Sequence, residues 1–302
     1  MLDTVARSGK PLGDPVMRDH LPPAVGSPEH LSDQVEALLC FRRGGGRTVL
    51  ARQRIPYPFH ATRTFYLDPA RPEVATLYLQ SASGGLYRGD RLALSIAADS
   101  HTAVHVTTQA SAIVHRTHAR GVVQSTRIEI GEHAFAALTP DPLVLFPGAE
   151  IACATDITLA STASAILTDG LAHHDPEGGA RPFERYSNAV VVHGADGAVL
   201  LADRGSLPGE LIFGPISPLG PFRAVGTLLV LGQGSDRCDP RALEDRLATC
   251  GCVGGMSKLP NNAGIGGRIL AASGGALARG LETAFAVAFE ALVGVPPARR
   301  RK

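Results

Sequence analysis

The feature that most constrains this chain is a long succession of short segments in which apolar and polar residues alternate. In residues 91–96, the side chains of Leu92, Leu94 and Ile96 fall on one face, as in a half-buried β-strand. Further segments that predict strands are 48–53, 74–80, 104–107, 124–130, 134–138, 143–146, 154–159, 164–167, 188–192 and 199–202. This stretch of about 150 residues without a helical pattern excludes a doubly wound parallel sheet and predicts a mainly β fold.

Helical patterns occur only near the C-terminus. Residues 239–247 begin with Asp239 as a potential N-cap, followed by Pro240 at the first helical position. Residues 275–293 carry an apolar stripe, and Gly294 follows them as a stop signal. We therefore expect one or two α-helices near the C-terminus.

Residues 1–32 contain proline, glycine and charged residues without periodicity, which predicts a flexible N-terminal leader. We expect residues 33–302 to form a single β domain that includes the C-terminal helix. The 34 glycines and 22 prolines are consistent with the many turns that such a domain needs.

Composition excludes several classes of partner. The formal net charge is +1, which argues against broad electrostatic binding of nucleic acid or acidic lipid. No apolar run is long enough to predict a membrane span or a signal peptide. The five cysteines are an odd number and widely spread, which favours reduced thiols and a cytoplasmic location.

The common catalytic motifs are missing from the sequence. It contains no nucleophile elbow, no P-loop and no His-Glu-x-x-His pair. Residues 264–267 read Gly-Ile-Gly-Gly and partly match a dinucleotide-binding loop. Because no strand-to-helix context is predicted around them, we interpret them as a β-turn.

Histidine, carboxylate and cysteine residues are the remaining candidates for chemistry. His115 and His118 lie three residues apart, and His173 and His174 precede Asp175, so each group offers ligands suited to Ni(II) or Zn(II). A tight site needs three or four convergent ligands and the sequence shows at most two at a time, so ordinary surface or hydrogen-bonded histidines are the alternative.

For two further pairs of residues, both a metal-binding role and a structural role stay open. Cys250 and Cys252 suggest a soft-metal or redox pair, although a loop between a helix and a strand also explains the glycine between them. Asp90 and Asp141 lie in turns, where a carboxylate ordinarily caps backbone N–H groups. The functional alternative is that these two carboxylates line a path for a divalent ion.

Several short motifs follow one another in a fixed order. Residues 53–58 read Gln-Arg-Ile-Pro-Tyr-Pro, and a Gly-Gly-x-x-x-Gly-Asp-x-Leu corner follows at 84–92. A paired-threonine segment occupies 107–110, a Pro-Asp-Pro turn occupies 140–142, and an Asp-Arg pair stands at 203–204. In this order the motifs resemble those of the UreD (UreH) family of urease accessory proteins, over nearly the whole chain after the leader.

This resemblance implies a superhelical stack of short β-strands and a function without catalysis. The protein would be a metallochaperone component that binds the urease apoprotein and a complex of UreF and UreG. It would assist nickel delivery to urease, with nickel bound transiently and no tightly held cofactor. Asp90, Asp141, His115, His173 and Asp175 are the candidate residues for the nickel path.

The sequence also departs from the family pattern. Residues 113–116 read Ile-Val-His-Arg where the family commonly has an aromatic pair, and residues 170–176 replace its Gly-Arg-x-Ala-x-Gly-Glu segment. Two alternatives therefore stay open. One is a β-rich metal-dependent hydrolase that uses His115, His118, His173 and Asp175, and the other is a purely structural interaction module.

Overall fold

The computed structural model describes residues 34–213 and 216–298. The predicted leader, residues 1–32, lies outside the described residues, as do residues 299–302. In chain order the elements are β1 (Val35–Gly44), β2 (Arg47–Arg54), β3 (Phe59–Ala61), β4 (Val74–Ser81), β5 (Arg91–Ala98), β6 (Ala103–Thr108), β7 (Ile113–Val114), β8 (Val122–Ile130), β9 (Phe135–Thr139), β10 (Leu143–Leu145), β11 (Glu150–Leu159), β12 (Ser164–His173), β13 (Arg185–Gly194), β14 (Val199–Pro208), α1 (Gly209–Phe213), β15 (Ala224–Gly232), α2 (Pro240–Ala248), β16 (Cys252–Lys258), β17 (Gly264–Ala271) and α3 (Gly274–Val293).

The strands form two sheets that face each other. The first has seven strands in the spatial order β14-β13-β11-β8-β5-β1-β2, and the second follows the order β16-β17-β15-β12-β9-β6-β4-β3, with β10 and β7 attached beside β12. From β4 to β13 the chain passes back and forth between the sheets. Within each sheet, the successive strands of this stretch pair in parallel.

This arrangement is a β-solenoid-like stack, in which each coil adds one strand to each sheet. It confirms the mainly β fold and the superhelical stack predicted from the sequence. Antiparallel hairpins end the stack, with β1 pairing β2 and β13 pairing β14. Parallel pairing arises here without helical crossovers because each strand returns through the opposite sheet.

The core lies between the sheets and follows the alternation seen in the sequence. In β5, Leu92, Leu94 and Ile96 are buried, whereas the intervening residues are half-buried. Leu94 and Ile96 meet Leu77 and Val106 of the opposite sheet in one apolar cluster, and Leu92 belongs to a neighbouring cluster with Leu86. The period-two prediction is therefore confirmed, because only one face of the first sheet is covered.

The outer face of the second sheet is covered by α3, and the strands beneath it are buried on both faces. Ser273 caps the helix by accepting a hydrogen bond from the N–H of Ala276, and Gly294 ends it with a φ of 85°. In α2, Asp239 is the N-cap and Pro240 follows it. The bounds of both helices therefore agree to within one residue with those that the sequence indicated.

The predicted β-turn at residues 264–267 is wrong, because these residues begin strand β17. A Cβ on Gly267 would lie 1.9 Å from the carbonyl oxygen of Gly255 on the neighbouring strand β16. The glycines thus serve close strand packing, which a sequence pattern cannot distinguish from turn formation. The short helix α1 was not predicted.

Candidate functional site

The glycine-rich corner at residues 84–92 connects β4 of the second sheet to β5 of the first. At its centre Leu86 pairs with the end of β7. Its N–H donates to the carbonyl oxygen of Ile113 at 2.7 Å, and its carbonyl accepts from His115 at 2.9 Å. Gly85 has a φ of 144°, and a Cβ there would lie 2.6 Å from the Ile113 carbonyl oxygen. Only glycine fits this position, so the corner is fixed by backbone geometry.

Asp90 completes the corner as a turn residue. Its carboxylate accepts a hydrogen bond from the N–H of Tyr87 at 2.8 Å, and its own N–H donates to the Tyr87 carbonyl at 3.1 Å. The ordinary capping role that the sequence suggested for this carboxylate is therefore present.

The paired threonines are bonded to the Pro-Asp-Pro turn. The hydroxyl of Thr107 donates to the carbonyl oxygen of Thr139 at 2.6 Å, and the hydroxyl of Thr108 accepts from the N–H of Asp141 at 2.8 Å. Two motifs that are 30 residues apart in sequence thus form one unit, because β6 and β9 are parallel neighbours. This explains why the threonines and the turn occur together.

These motifs meet at an open cavity of about 810 Å³ lined by residues of both sheets. The glycine corner contributes Gly84 and Gly85, the paired-threonine segment contributes residues 107–110, and the turn contributes Pro140. Leu79, Leu92 and Leu138 form part of the apolar wall. Polar side chains on the wall are His60, Gln80, Ser81, Ser83, Thr107, Thr108, Gln109, Ser111, Gln124, Ser125 and Thr126.

The wall of this cavity is almost free of charge. Among its described lining residues, His60 is the only ionisable side chain, and its ring bonds to Gln80. Hydroxyl and amide oxygens are hard, neutral donors that bind divalent cations weakly. The cavity therefore offers neutral oxygen donors on a largely apolar wall, and among its described lining residues no charged side chain is placed to hold a metal tightly.

A row of aromatic rings lies beside the corner, where β7, β10 and β12 end side by side. His115 stacks on Tyr87 with ring centroids 4.6 Å apart, and it meets Phe146 edge-on at 5.4 Å. The ring centroid of His174 lies 5.7 Å from that of Phe146. The structure thus places His115 and His174 around one phenyl ring, although 59 residues separate them in sequence.

His173 faces away from this row because successive strand residues point to opposite faces. Its ring Nε2 lies 2.7 Å from the carbonyl oxygen of Arg181, and it meets Phe213 edge-on at 4.7 Å. Partial burial lowers the pKa of His173 below its ordinary value. His173 is therefore a neutral imidazole among aromatic rings, and it lies apart from the other candidate residues.

Asp175 organises the loop between β12 and β13. Its two carboxylate oxygens accept bonds from the guanidinium and the N–H of Arg181 and from the N–H of Glu177. The side chain of Asp175 is only 3% exposed beneath that of Arg181. The guanidinium holds the pKa of this carboxyl well below its usual range. The structure therefore gives Asp175 a role in holding the loop.

The candidate residues do not assemble into a single tight metal centre. Across residues 34–213 and 216–298, no three His, Cys, Asp or Glu side chains are grouped so that they could hold a metal ion. His118 is exposed, with a φ of 52°. A path of weak, separate ligands stays a prediction for Asp90, Asp141, His115, His173 and Asp175.

Cys250 and Cys252 flank the glycine of the loop between α2 and β16, as expected from the sequence. Both thiols contact α3. The sulfur of Cys250 lies 3.2 Å from the hydroxyl of Thr283, and that of Cys252 lies 3.4 Å from the carbonyl oxygen of Ala276. Burial raises the pKa of Cys252. These contacts favour a packing role over a reactive pair.

Sequence reasoning missed a polar cluster between the sheets. Asp169 of β12 accepts a hydrogen bond from the side-chain amide of Asn188 in β13 at 2.6 Å. Beside it, both carboxylate oxygens of Asp203 lie 2.8 Å from the guanidinium of Arg268 in β17. These four residues line a cavity of about 140 Å³. Burial raises the pKa of Asp169. Residues from four strands meet here, and no local motif marks them.

Comparison with known proteins gives a consistent result. The model of the UreD urease accessory protein family matches residues 34–302, which is most of the chain. The chain belongs to the UreD family. The identification from the ordered motifs is thereby confirmed.

Relatives named urease accessory protein UreD align over most of their length. UreD 1 of Methylorubrum populi is 50% identical over 89% of this chain and 92% of its own length. UreD 3 of Bradyrhizobium sp. strain ORS 278 is 45% identical over 89% of this chain and 95% of its own length. UreD 1 of Pseudomonas syringae pv. syringae is 31% identical over 85% of this chain and 91% of its own length. These names describe accessory proteins and not enzymes, as the sequence predicted for this chain.

Proposed function

We propose that this protein is a urease maturation factor that assists the delivery of nickel to the urease apoprotein. Membership in the UreD family carries the proposal, and it is supported by relatives at up to 50% identity over most of the chain. Nickel is the cargo of this process and not a resident cofactor. Catalysis would belong to urease, which agrees with the absence of catalytic motifs from the sequence.

We propose that the chain binds the urease apoprotein on one side and a UreF–UreG complex on the other. The absence of a P-loop from the sequence supports a partner that supplies any nucleotide hydrolysis. No helix in the described part of the chain is long and apolar enough to cross a membrane. We place the activity in the cytoplasm, where reduced cysteines are stable.

The cavity lined by the motif residues is our candidate for the nickel passage. Its neutral oxygen donors would exchange a divalent ion quickly, as a transfer step requires. His115 and Asp141 adjoin the lining segments, and Asp90 lies in the same corner as Gly84 and Gly85. We propose these three as weak ligands along the way. His173 and Asp175 stay candidates for the same path, and both contact Arg181 in the loop after β12.

The decisive experiment reconstitutes urease in a host without urease genes. The urease and accessory genes are expressed with or without this chain, and urease activity and nickel per urease are measured. We expect activity and nickel content to fall at least about tenfold without the chain. Equal activation in both strains would exclude the proposed function.

A pair of variants distinguishes a protein that passes nickel through this cavity from a purely structural interaction module. Ala110→Trp places a bulky ring at the exposed rim of the cavity, and Ala195→Trp places one in the exposed turn after β13 as a control. Passage predicts that Ala110→Trp lowers nickel per urease while the partners still co-purify. An unchanged nickel content would favour the structural module. Turnover of a substrate without partners, with a tightly held metal, would favour the hydrolase.

A further inference from the structure

A second cavity of about 310 Å³ lies on the outer face of the seven-stranded sheet. It runs across the first residues of four neighbouring strands, β5, β8, β11 and β13. Its lining residues Arg91, Ala152 and Ser187 each stand next to an inward-facing, buried residue. The groove therefore opens to the outside of the solenoid and is separate from the cavity between the sheets.

Three arginines and one glutamate line this groove, so it carries two positive charges in excess. Arg91 begins β5, Arg185 begins β13, and Arg120 precedes β8. The guanidinium carbon of Arg120 lies 3.4 Å from the position that a Cβ on Gly89 would occupy, so its charge covers the glycine corner. Glu150 begins β11 and lies between Arg120 and Arg185 in the lining.

These three guanidinium groups differ from the paired arginines elsewhere in the protein. Arg54, Arg181 and Arg268 each contact a carboxylate within 2.9 Å. Within residues 34–213 and 216–298, the side chains of Arg91, Arg120 and Arg185 have neither a hydrogen bond nor an ion pair. A guanidinium has five donors in a planar fork that suits carboxylates, so the groove presents unused binding capacity.

The spacing of the arginines decides which anion fits. Arg91 and Arg185 begin strands that lie three positions apart in the sheet, and neighbouring strands are about 4.8 Å apart, so their backbones are separated by about 14 Å. A ligand that contacts Arg91, Arg120 and Arg185, without the long side chains of the outer two bending towards each other, must extend across several strands. An extended peptide spans this distance with about four residues, because each residue adds about 3.3 Å.

We propose that this groove is a docking site for an acidic segment of a partner protein, in which at least two carboxylates contact Arg91, Arg120 and Arg185. The whole chain has a net charge of only +1, so the positive charge is a local property of this groove. The site goes beyond the proposed function, since it does not require nickel transfer. Electrostatic complementarity of this kind orients the partner and speeds its association more than it raises the affinity.

The test uses a fluorescein-labelled hexaglutamate peptide and anisotropy titrations of the full-length chain at about 50 mM salt, where surface electrostatics are less screened. We expect saturable binding to the wild type. Arg120→Gln combined with Arg185→Gln should weaken it by about tenfold or more, since two charge-assisted pairs are lost. Glu150→Gln should tighten binding several-fold, because it removes the one negative charge in the groove.

Arg127→Gln is the matched control. Arg127 is exposed on β8 and lies outside the groove, so this variant should bind within about twofold of the wild type. Circular dichroism establishes that all variants are folded. An equal loss of binding in Arg127→Gln, or no loss in the double variant, would overturn the proposal, as would the absence of saturable binding.

Two competitors identify the class of ligand. Inorganic phosphate at a matched concentration should displace the peptide poorly, and a twelve-nucleotide oligothymidylate should not bind more tightly than hexaglutamate. Displacement by phosphate as efficient as by unlabelled peptide would show a single-anion pocket instead. Tighter oligothymidylate binding with the same dependence on the arginines would show a nucleic-acid site instead. Either result contradicts an acidic protein segment.

Discussion

At the scale of single residues, the candidate ligands turn out to have local structural partners. Asp90 caps the backbone of its own turn, Asp175 is held by Arg181, and His115 stacks on Tyr87. The sequence offered both a structural and a metal-binding interpretation for Asp90 and His115, and a metal-binding one for Asp175. The structural contacts are present, and weak nickel binding stays a prediction that these contacts still permit for Asp90 and His115.

The glycine corner gives the prediction for this scale. Gly85→Ala should lower the free energy of unfolding by about 3 kcal/mol or more, because the new Cβ meets a backbone carbonyl at a φ that L-residues rarely adopt. Gly45→Ala is the matched control: Gly45 also has a positive φ, of 56°, but nothing lies within 4 Å of its added Cβ. Gly45→Ala should lower the free energy of unfolding by only about 1 kcal/mol. Urea denaturation measures both, and equal losses would contradict the proposed close packing.

At the scale of elements, the sequence predicted half-buried strands such as β5 and also strands buried on both faces such as β9. Alternation identified β5, Asp239 identified the start of α2 and Gly294 the end of α3. The glycine-rich strand β17 was mistaken for a turn, because its glycines accommodate neighbouring strands. Local patterns report burial and capping, but they do not report how closely another strand approaches.

The packing of α3 gives the element-scale prediction. Gly280→Ala should destabilise the protein by about 1–2 kcal/mol despite the better helix propensity of alanine, because its Cβ would lie 2.7 Å from the sulfur of Cys252. Gly275→Ala in the exposed first turn should instead raise stability, by up to about 1 kcal/mol, because only the distant end of Arg279 is near.

A double-mutant cycle tests the cause of this difference. Cys252→Ala provides room for the new methyl group, so the combination with Gly280→Ala should cost less than the sum of the two single changes. Urea denaturation of the four proteins gives the coupling free energy. Additive effects would show that the sulfur does not limit the approach of α3 to β16.

At the scale of the whole molecule, the two sheets of the solenoid must pack against each other at a defined distance. Apolar packing provides most of this contact, and the cluster of Asp169, Asn188, Asp203 and Arg268 adds polar links between the sheets. The cluster contains a carboxyl group whose pKa is raised by burial. Protonation of this group therefore couples to the stability of the assembled sheets.

Asp169→Asn should show this coupling as a pH trend. A carboxyl with a raised pKa in the folded state holds its proton more tightly there than in the unfolded chain, whose Asp pKa is about 3.9. Its contribution to stability therefore decreases as pH rises from about 4 through the folded-state pKa. Relative to the wild type, the variant should gain stability between pH 4 and pH 8.

Urea denaturation across this pH range measures the difference between the two proteins. Asp245→Asn, at an exposed position of α2, is the control that sets the baseline. A stability difference that stays constant with pH would show that Asp169 does not couple protonation to folding. A difference that falls with pH would reverse the sign of the argument.

The sequence by itself determined the β class, the positions of both C-terminal helices and the family, because period-two burial, capping residues and ordered motifs are local in the chain. Only the tertiary structure decided how those motifs meet. The threonine segment and the Pro-Asp-Pro turn bond to each other, and the glycine corner joins them at one cavity. It also gathered Asp203 with Arg268, and Arg91 with Arg185, across strands far apart in sequence. The physical reason is the solenoid itself, since each coil returns distant residues to neighbouring strands.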